Sequence, residues 1–177
     1  MPLRDVIADR PRILFVGINP GLRSETLGHH FAGPANPFWR LLHTARLTPV
    51  ALSHDEDQRL ADFGMALTNL CPRATRSAAE LGAGEIERGK RAVTRKIRRL
   101  RPDVVAFVGI TIYRQFFGRG GSAGAGAKTE TIDGARVFVL PNPSGLNASF
   151  PGFKHKLVWF ERLREFAGSA PVSSHEA

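Results

Sequence analysis

Apolar residues along this chain alternate between short continuous runs and longer stretches where they recur every three to four positions. Residues 12–17 (RILFVG) suit a short buried strand, 65–69 (MALTN) another strand, and 103–109 (DVVAFVG) is a continuous apolar run, the pattern of a strand covered on both faces. Asn36-Pro37 supplies an N-cap and a first-turn proline for a helix to about residue 47. Ser53 with Glu56 forms a capping box for a second helix ending near Gly64. Ser77 with Glu80 forms another, leading into a helical region that runs to Leu100 and stops at Pro102. Within it Val93, Ile97 and Leu100 make one apolar stripe. Residues 110–117 suit a helix, and 118–126, rich in glycine, suit an exposed mobile loop. Asp133-Gly134 between two strand-like segments, 129–132 and 136–140, is a strong hairpin signal. A last helix over 153–166 places Phe153, Leu157, Phe160 and Leu163 on one stripe.

Strands alternating with helices predict an α/β protein, a mostly parallel sheet between helix layers. Ligands bind such sheets outside the carboxyl ends of the strands. At 177 residues a single domain is expected, over 1–167, with a flexible polar tail over 168–177. A lone Cys71 excludes a disulfide framework and a multi-cysteine zinc site. No apolar run reaches the roughly 18 residues of a membrane helix, and MPLRDVIADRPR lacks the apolar stretch of a signal peptide. A soluble, cytosolic (cytoplasmic) monomer with no membrane partner is expected.

The charge is unevenly placed. Between Arg88 and Arg101 stand eight bases and no acid; without them the remaining 17 Lys and Arg nearly balance 16 Asp and Glu. Such a segment suits either a polyanion partner or a solvated helix face. Two turns at predicted strand ends are alike: Gly17-Ile18-Asn19-Pro20-Gly21, and Pro141-Asn142-Pro143-Ser144-Gly145. Each sets Asn before Pro, which biases the Asn backbone to an extended form and holds its amide at the strand mouth. Taken singly, either sequence is also simply a good turn.

GINPGLRS at 17–24, FAGPANPFW at 31–39 and LPNPSGLN at 140–147 resemble the mismatch-specific uracil-DNA glycosylase family, which includes thymine-DNA glycosylase. The resemblance spans about 12–163. It implies a three-layer α/β/α fold with a four-stranded, mostly parallel sheet, and no metal or cofactor. It further implies removal of uracil, and in some members thymine or damaged pyrimidines, opposite guanine in double-stranded DNA by base flipping, leaving an abasic site. The partner expected is therefore duplex DNA with G·U or G·T mismatches. The family's catalytic Asn falls on Asn19, which would orient a water against C1′ of the flipped nucleotide. Gly17, Ile18, Ser24, Phe31, Asn69 and Asn142 would line the base pocket, with Phe31 stacking on the base. Gly145, Leu146 and Asn147 match the wedge that enters the duplex and faces the orphan guanine.

Phe31 could instead serve the core, to which Phe38 and Trp39 are assigned. Asn69 matches thymine-DNA glycosylase where the enterobacterial enzyme has Lys; it could contact the base or water, or be structural. Arg23, Ser144, Lys96, Arg98 and Arg99 are candidate phosphate contacts. His29-His30 would meet DNA or solvent.

Other functions fit less well. The glycines at 121 and 126 have phosphate-loop spacing, but Ala127 separates them from Lys128-Thr129. The six histidines show no convincing ligand spacing. Two alternatives stay open: a related glycosylase preferring hypoxanthine or single-stranded uracil, and a catalytically silent DNA-binding module.

Overall fold

The computed structural model describes residues 3–118, 124–144 and 152–168. The continuous apolar runs form the centre. Strands β1 (Ile13–Gly17), β2 (Met65–Asn69), β3 (Val104–Val108), β4 (Gly126–Ile132) and β5 (Ala135–Leu140) make one sheet in the order β2-β1-β3-β5-β4. All pairs are parallel except β4 with β5. The resemblance implies four strands; the sheet has five, because the 133–134 turn folds β4 back onto β5. Asp133 and Gly134 both take positive φ there, 47° and 87°, as a tight hairpin turn of this hand requires.

Alternation along the strands divides the core. Ile13, Phe15, Leu67, Ala106 and Phe138 face one layer, formed by α2 (Phe38–Thr44), the 3-10 turns of His54–Phe63 and α5 (Phe153–Gly168). Leu14, Val16, Val105, Phe107 and Val137 face the other, formed by α3 (Ala83–Leu100) and α4 (Ile110–Phe116). The expected stripe of Val93, Ile97 and Leu100 is the buried face of α3. The N-cap of α2 is Pro37 rather than the expected Asn36, which precedes it and accepts from the Phe38 N–H at 3.0 Å.

Four elements differ from expectation. A short helix, α1 (Leu22–Leu27), lies between Gly21 and Gly28; it buries only Ser24, so it has no apolar stripe to announce it. The segment from Ser53 is 3-10 rather than α-helical, although Ser53 N–H does donate to Glu56 Oε1. The helical region after Ser77 is broken: one turn at Ala78–Glu80, an extended Leu81 that buries its side chain, then α3. The glycine-rich loop falls mainly on 119–123, outside the described residues, and Gly126 already begins β4. Residues 169–177 of the expected tail also lie outside them. The N-terminal segment crosses the outer edge of β2, where Val6 and Leu67 exchange backbone hydrogen bonds at 2.9 Å.

Candidate functional site

The parallel strands end along one edge, and polar residues collect there at the ends of β1 and β2. Gly17 and Asn69 are register partners across that edge. A Cβ at Gly17 would sit 2.6 Å from Asn69 Oδ1 and 3.9 Å from the Phe31 ring, so glycine is what lets these three groups converge. They bound the narrow slot that the missing side chain of Gly17 leaves at the strand end.

Phe31 reaches the slot from a strained backbone, φ +51°, a region that costs a bulky residue roughly 1–3 kcal/mol. Its neighbours hold it there. Ala32 N–H donates to Ser24 Oγ and Arg23 Nε donates to Ala32 O. His30 N–H donates to Asp57 Oδ2, His30 Nε2 bonds Arg4 O, and Trp39 Nε1 donates to His30 O. Phe31 stacks on Phe38 with ring centroids 4.0 Å apart and remains half-buried. It thus packs against the core and borders the slot at once.

Asn19 is held more firmly than its turn alone would achieve. Its Nδ2 donates to Arg73 O at 2.9 Å and to Thr75 Oγ1 at 2.7 Å. The Thr75 hydroxyl donates its own proton to Ser77 O at 2.8 Å, so toward Asn19 it can only accept. The amide is therefore oriented without ambiguity, and Oδ1 accepts no hydrogen bond from the described residues. Backbone bonds lace the two segments together: Leu70 N–H to Gly17 O, Cys71 N–H to Ile18 O, Thr75 N–H to Pro20 O. Arg73 in turn grips Glu85 through Nε at 2.9 Å and Nη2 at 2.8 Å. That pair, with the Gly82 N–H, holds the Glu85 carboxyl down at about 2.

Arg73, Thr75 and Glu85 escape sequence reasoning, since nothing local ties a threonine to an asparagine 56 positions earlier. Other expected site residues have partners within the neighbouring loops. The Ser24 hydroxyl is engaged by Ala32 and supports the Phe31 loop; Arg23 is bonded to the same loop. Asn142 Oδ1 accepts from both the N–H and the hydroxyl of Ser144, which makes it a turn-former beside Gly109. The buried Lys156 Nζ fixes that turn by donating to Pro143 O. Gly145, Leu146 and Asn147 lie outside the described residues.

The basic segment divides. Lys96 pairs with Asp5 at 2.8 Å and donates to Thr68, while Arg98 pairs with Asp133. Asp133 precedes β5, so Arg98 and its neighbour Arg99 lie at the amino edge, opposite Asn19. A cleft of about 530 Å³ beside Pro20 and Asn69 is walled by Arg88, Ala92 and Arg95, which share one face of α3, and also by Lys96, Asp5 and Glu85. The expectation that His29-His30 meets DNA or solvent is corrected for His30, which is buried; His29 stays partly exposed, and both Asp57 carboxylate oxygens are used by the pair. Burial lowers the His30 pKa. Among the described residues no group of three or more His, Cys, Asp or Glu could hold a metal, and no helix is long and apolar enough to cross a membrane.

A mostly parallel sheet covered on both faces by helices defines a three-layer α/β protein, a class whose ligands bind outside the carboxyl ends of the strands, the edge where Gly17, Asn69 and the Phe31 ring meet. Residues 4–164 match the model of the uracil DNA glycosylase superfamily, and the chain belongs to that superfamily, whose members are glycosylase hydrolases acting on DNA. The solution structure of a candidate uracil DNA glycosylase from Methanosarcina acetivorans has the same fold. It is 17% identical, with a TM-score of 0.59 over 92% of this chain and 97% of that one.

Proposed function

We propose that the protein is a mismatch-specific uracil-DNA glycosylase, which releases uracil, and more slowly thymine, opposite guanine in duplex DNA. The observation that carries this reading is the Asn19 amide, oriented by Arg73 O and Thr75 Oγ1 with Oδ1 left to accept, beside the slot of Gly17, Asn69 and Phe31.

A neutral amide has no useful proton affinity, so Asn19 orients a water rather than deprotonating it. The reaction then depends on the departing base. The C1′–N1 bond breaks first, its electron pair leaving with the pyrimidine as an anion. The sugar becomes oxocarbenium-like, as in glycoside hydrolysis. The water held by Asn19 Oδ1 adds to C1′ and loses its proton to solvent. Backbone N–H groups of the 17–19 turn stabilise the anion in the manner of an oxyanion hole. Phe31 supplies a stacking surface, worth roughly 1–3 kcal/mol and indifferent to the C5 methyl. A pocket rejects one methyl by only about 10–200-fold, which supports thymine as a slower substrate.

The experiment is single-turnover excision, read by alkaline cleavage, on G·U, G·T, A·U, hypoxanthine and single-stranded uracil substrates. G·U is expected to react fastest and G·T measurably slower. Asn19→Ala is expected to lose about 100-fold or more on G·U while DNA affinity stays within a few-fold. A variant that cuts near the wild-type rate overturns the assignment of Asn19. Faster release of hypoxanthine or of single-stranded uracil overturns the mismatch-specific reading.

A further inference from the structure

We propose that Glu85 is a positioning residue for hydrolysis, acting through Arg73 to orient the Asn19 amide; this rests on the glycosylase reading above. Arg73 O is one of the two acceptors that fix Asn19 Nδ2. Its segment is the weak part of the frame. Leu70, Cys71 and Thr75 are tied by their N–H groups to the 17–20 turn, but residues 72–74 contribute no such bond. Arg73 is anchored by its side chain instead. Nε and Nη2 lie on the two Glu85 oxygens at 2.9 and 2.8 Å, and Nη2 also donates to Glu80 O at 2.9 Å.

Glu85 is itself fixed. Its Oε1 accepts from Gly82 N–H at 3.1 Å, and its carbonyl oxygen accepts from the Cys71 thiol at 3.6 Å. A two-point guanidinium–carboxylate contact has one geometry, unlike a single point charge. The first turn of α3 thereby sets where the Arg73 carbonyl points. Arg73 is half exposed, so solvent screens the ion pair and its contribution to stability is small; its effect belongs to geometry at Asn19.

The test is a double-mutant cycle read by single-turnover excision on G·U, with DNA affinity and melting temperature measured alongside. Glu85→Ala is expected to slow excision about tenfold, with DNA affinity not weakened, since an acid leaves the cleft lined by Arg88 and Arg95, and with only the small fall in melting temperature that loss of the Gly82 cap brings. Glu85→Gln, which keeps one acceptor oxygen, is expected to fall between. In the Asn19→Ala background Glu85→Ala is expected to have no further effect, because its action runs through that amide. An equal loss in both backgrounds, or a loss that tracks melting temperature, overturns the proposal. A second readout is independent of activity: the side-chain NH2 signals of Asn19 in ¹H–¹⁵N spectra, identified by their absence in Asn19→Ala. Glu85→Ala is expected to move or average them while Asn69 keeps its own. Unmoved Asn19 signals overturn the positioning role even if the wild-type protein excises no base, an outcome that would by itself remove only the glycosylase reading.

Discussion

A methyl group added at position 17 has nowhere to go, because Asn69 Oδ1 would lie 2.6 Å from it and the Phe31 ring 3.9 Å. The single hydrogen of Gly17 therefore defines the width of the slot. Gly17→Ala is expected to push Asn69 aside and narrow the site. Excision of G·U should fall at least tenfold, with a larger loss on G·T, since thymine needs the room more. Stability should change by no more than about 1–3 kcal/mol, the usual cost of overpacking. Single-turnover rates and urea unfolding check both parts; an unchanged G·U rate would show that the base does not enter here. At this scale Asn19 is legible in sequence, as an amide fixed before proline at a strand end. Which of its atoms faces the site is not, because the answer lies with the Thr75 hydroxyl and the proton it gives to Ser77.

α3 carries most of the excess charge, yet its residues are not equivalent. The helix runs antiparallel to its neighbouring strands, from the site edge at Ala83 to the opposite edge at Leu100. It also lies close against β2's exit: a Cβ on Gly89 would overlap the Leu70 carbonyl. Arg88 and Arg95 line the cleft beside Asn69, whereas Arg98 is committed to Asp133 at the far edge. For binding to an undamaged duplex, replacing Arg88 and Arg95 together by Ala should shrink the salt slope by roughly 1.8, about 0.9 for each phosphate no longer neutralised. Replacing Arg98 and Arg99 should leave the slope unchanged. The reverse outcome would return the DNA face to the end of α3. Sequence pattern identifies this helix and its buried stripe, but a run of bases carries no sign of which end meets the ligand.

Across the whole molecule, a buried knot joins three distant segments. Asp57 binds His29 and His30, His30 Nε2 bonds the Arg4 carbonyl, and Trp39 closes on His30 O. The knot sits behind the Phe31 turn, and burial lowers the His30 pKa despite the hydrogen bond to Arg4 O and the attraction of Asp57 and Asp5. An unfolded histidine titrates near 6.5, so below that value the unfolded chain binds a proton that the folded one resists. The stabilisation is complete above about pH 6.5 and is lost as pH falls toward the lowered folded value. Urea midpoints measured from pH 7.5 to 5 should therefore decline with acidification. His30→Gln, whose amide can still donate to Arg4 O, should flatten that slope. An identical slope in the variant would place the titration elsewhere.

Short-range physics accounts for what this sequence determined by itself. Strand cores, the buried stripe of α3, the hairpin at Asp133-Gly134 and the placing of Asn19 beyond β1 depend on side-chain periodicity and local φ preferences, and all are present in neighbouring residues. The α/β architecture follows from their alternation. What tertiary structure decided are the long-range partnerships. Strand order brings Thr75 to Asn19, pairs Asp5 with Lys96, and encloses His30. A hydrogen bond between residues more than fifty positions apart leaves no periodic trace, because its geometry exists only once the sheet has set the distance between the loops.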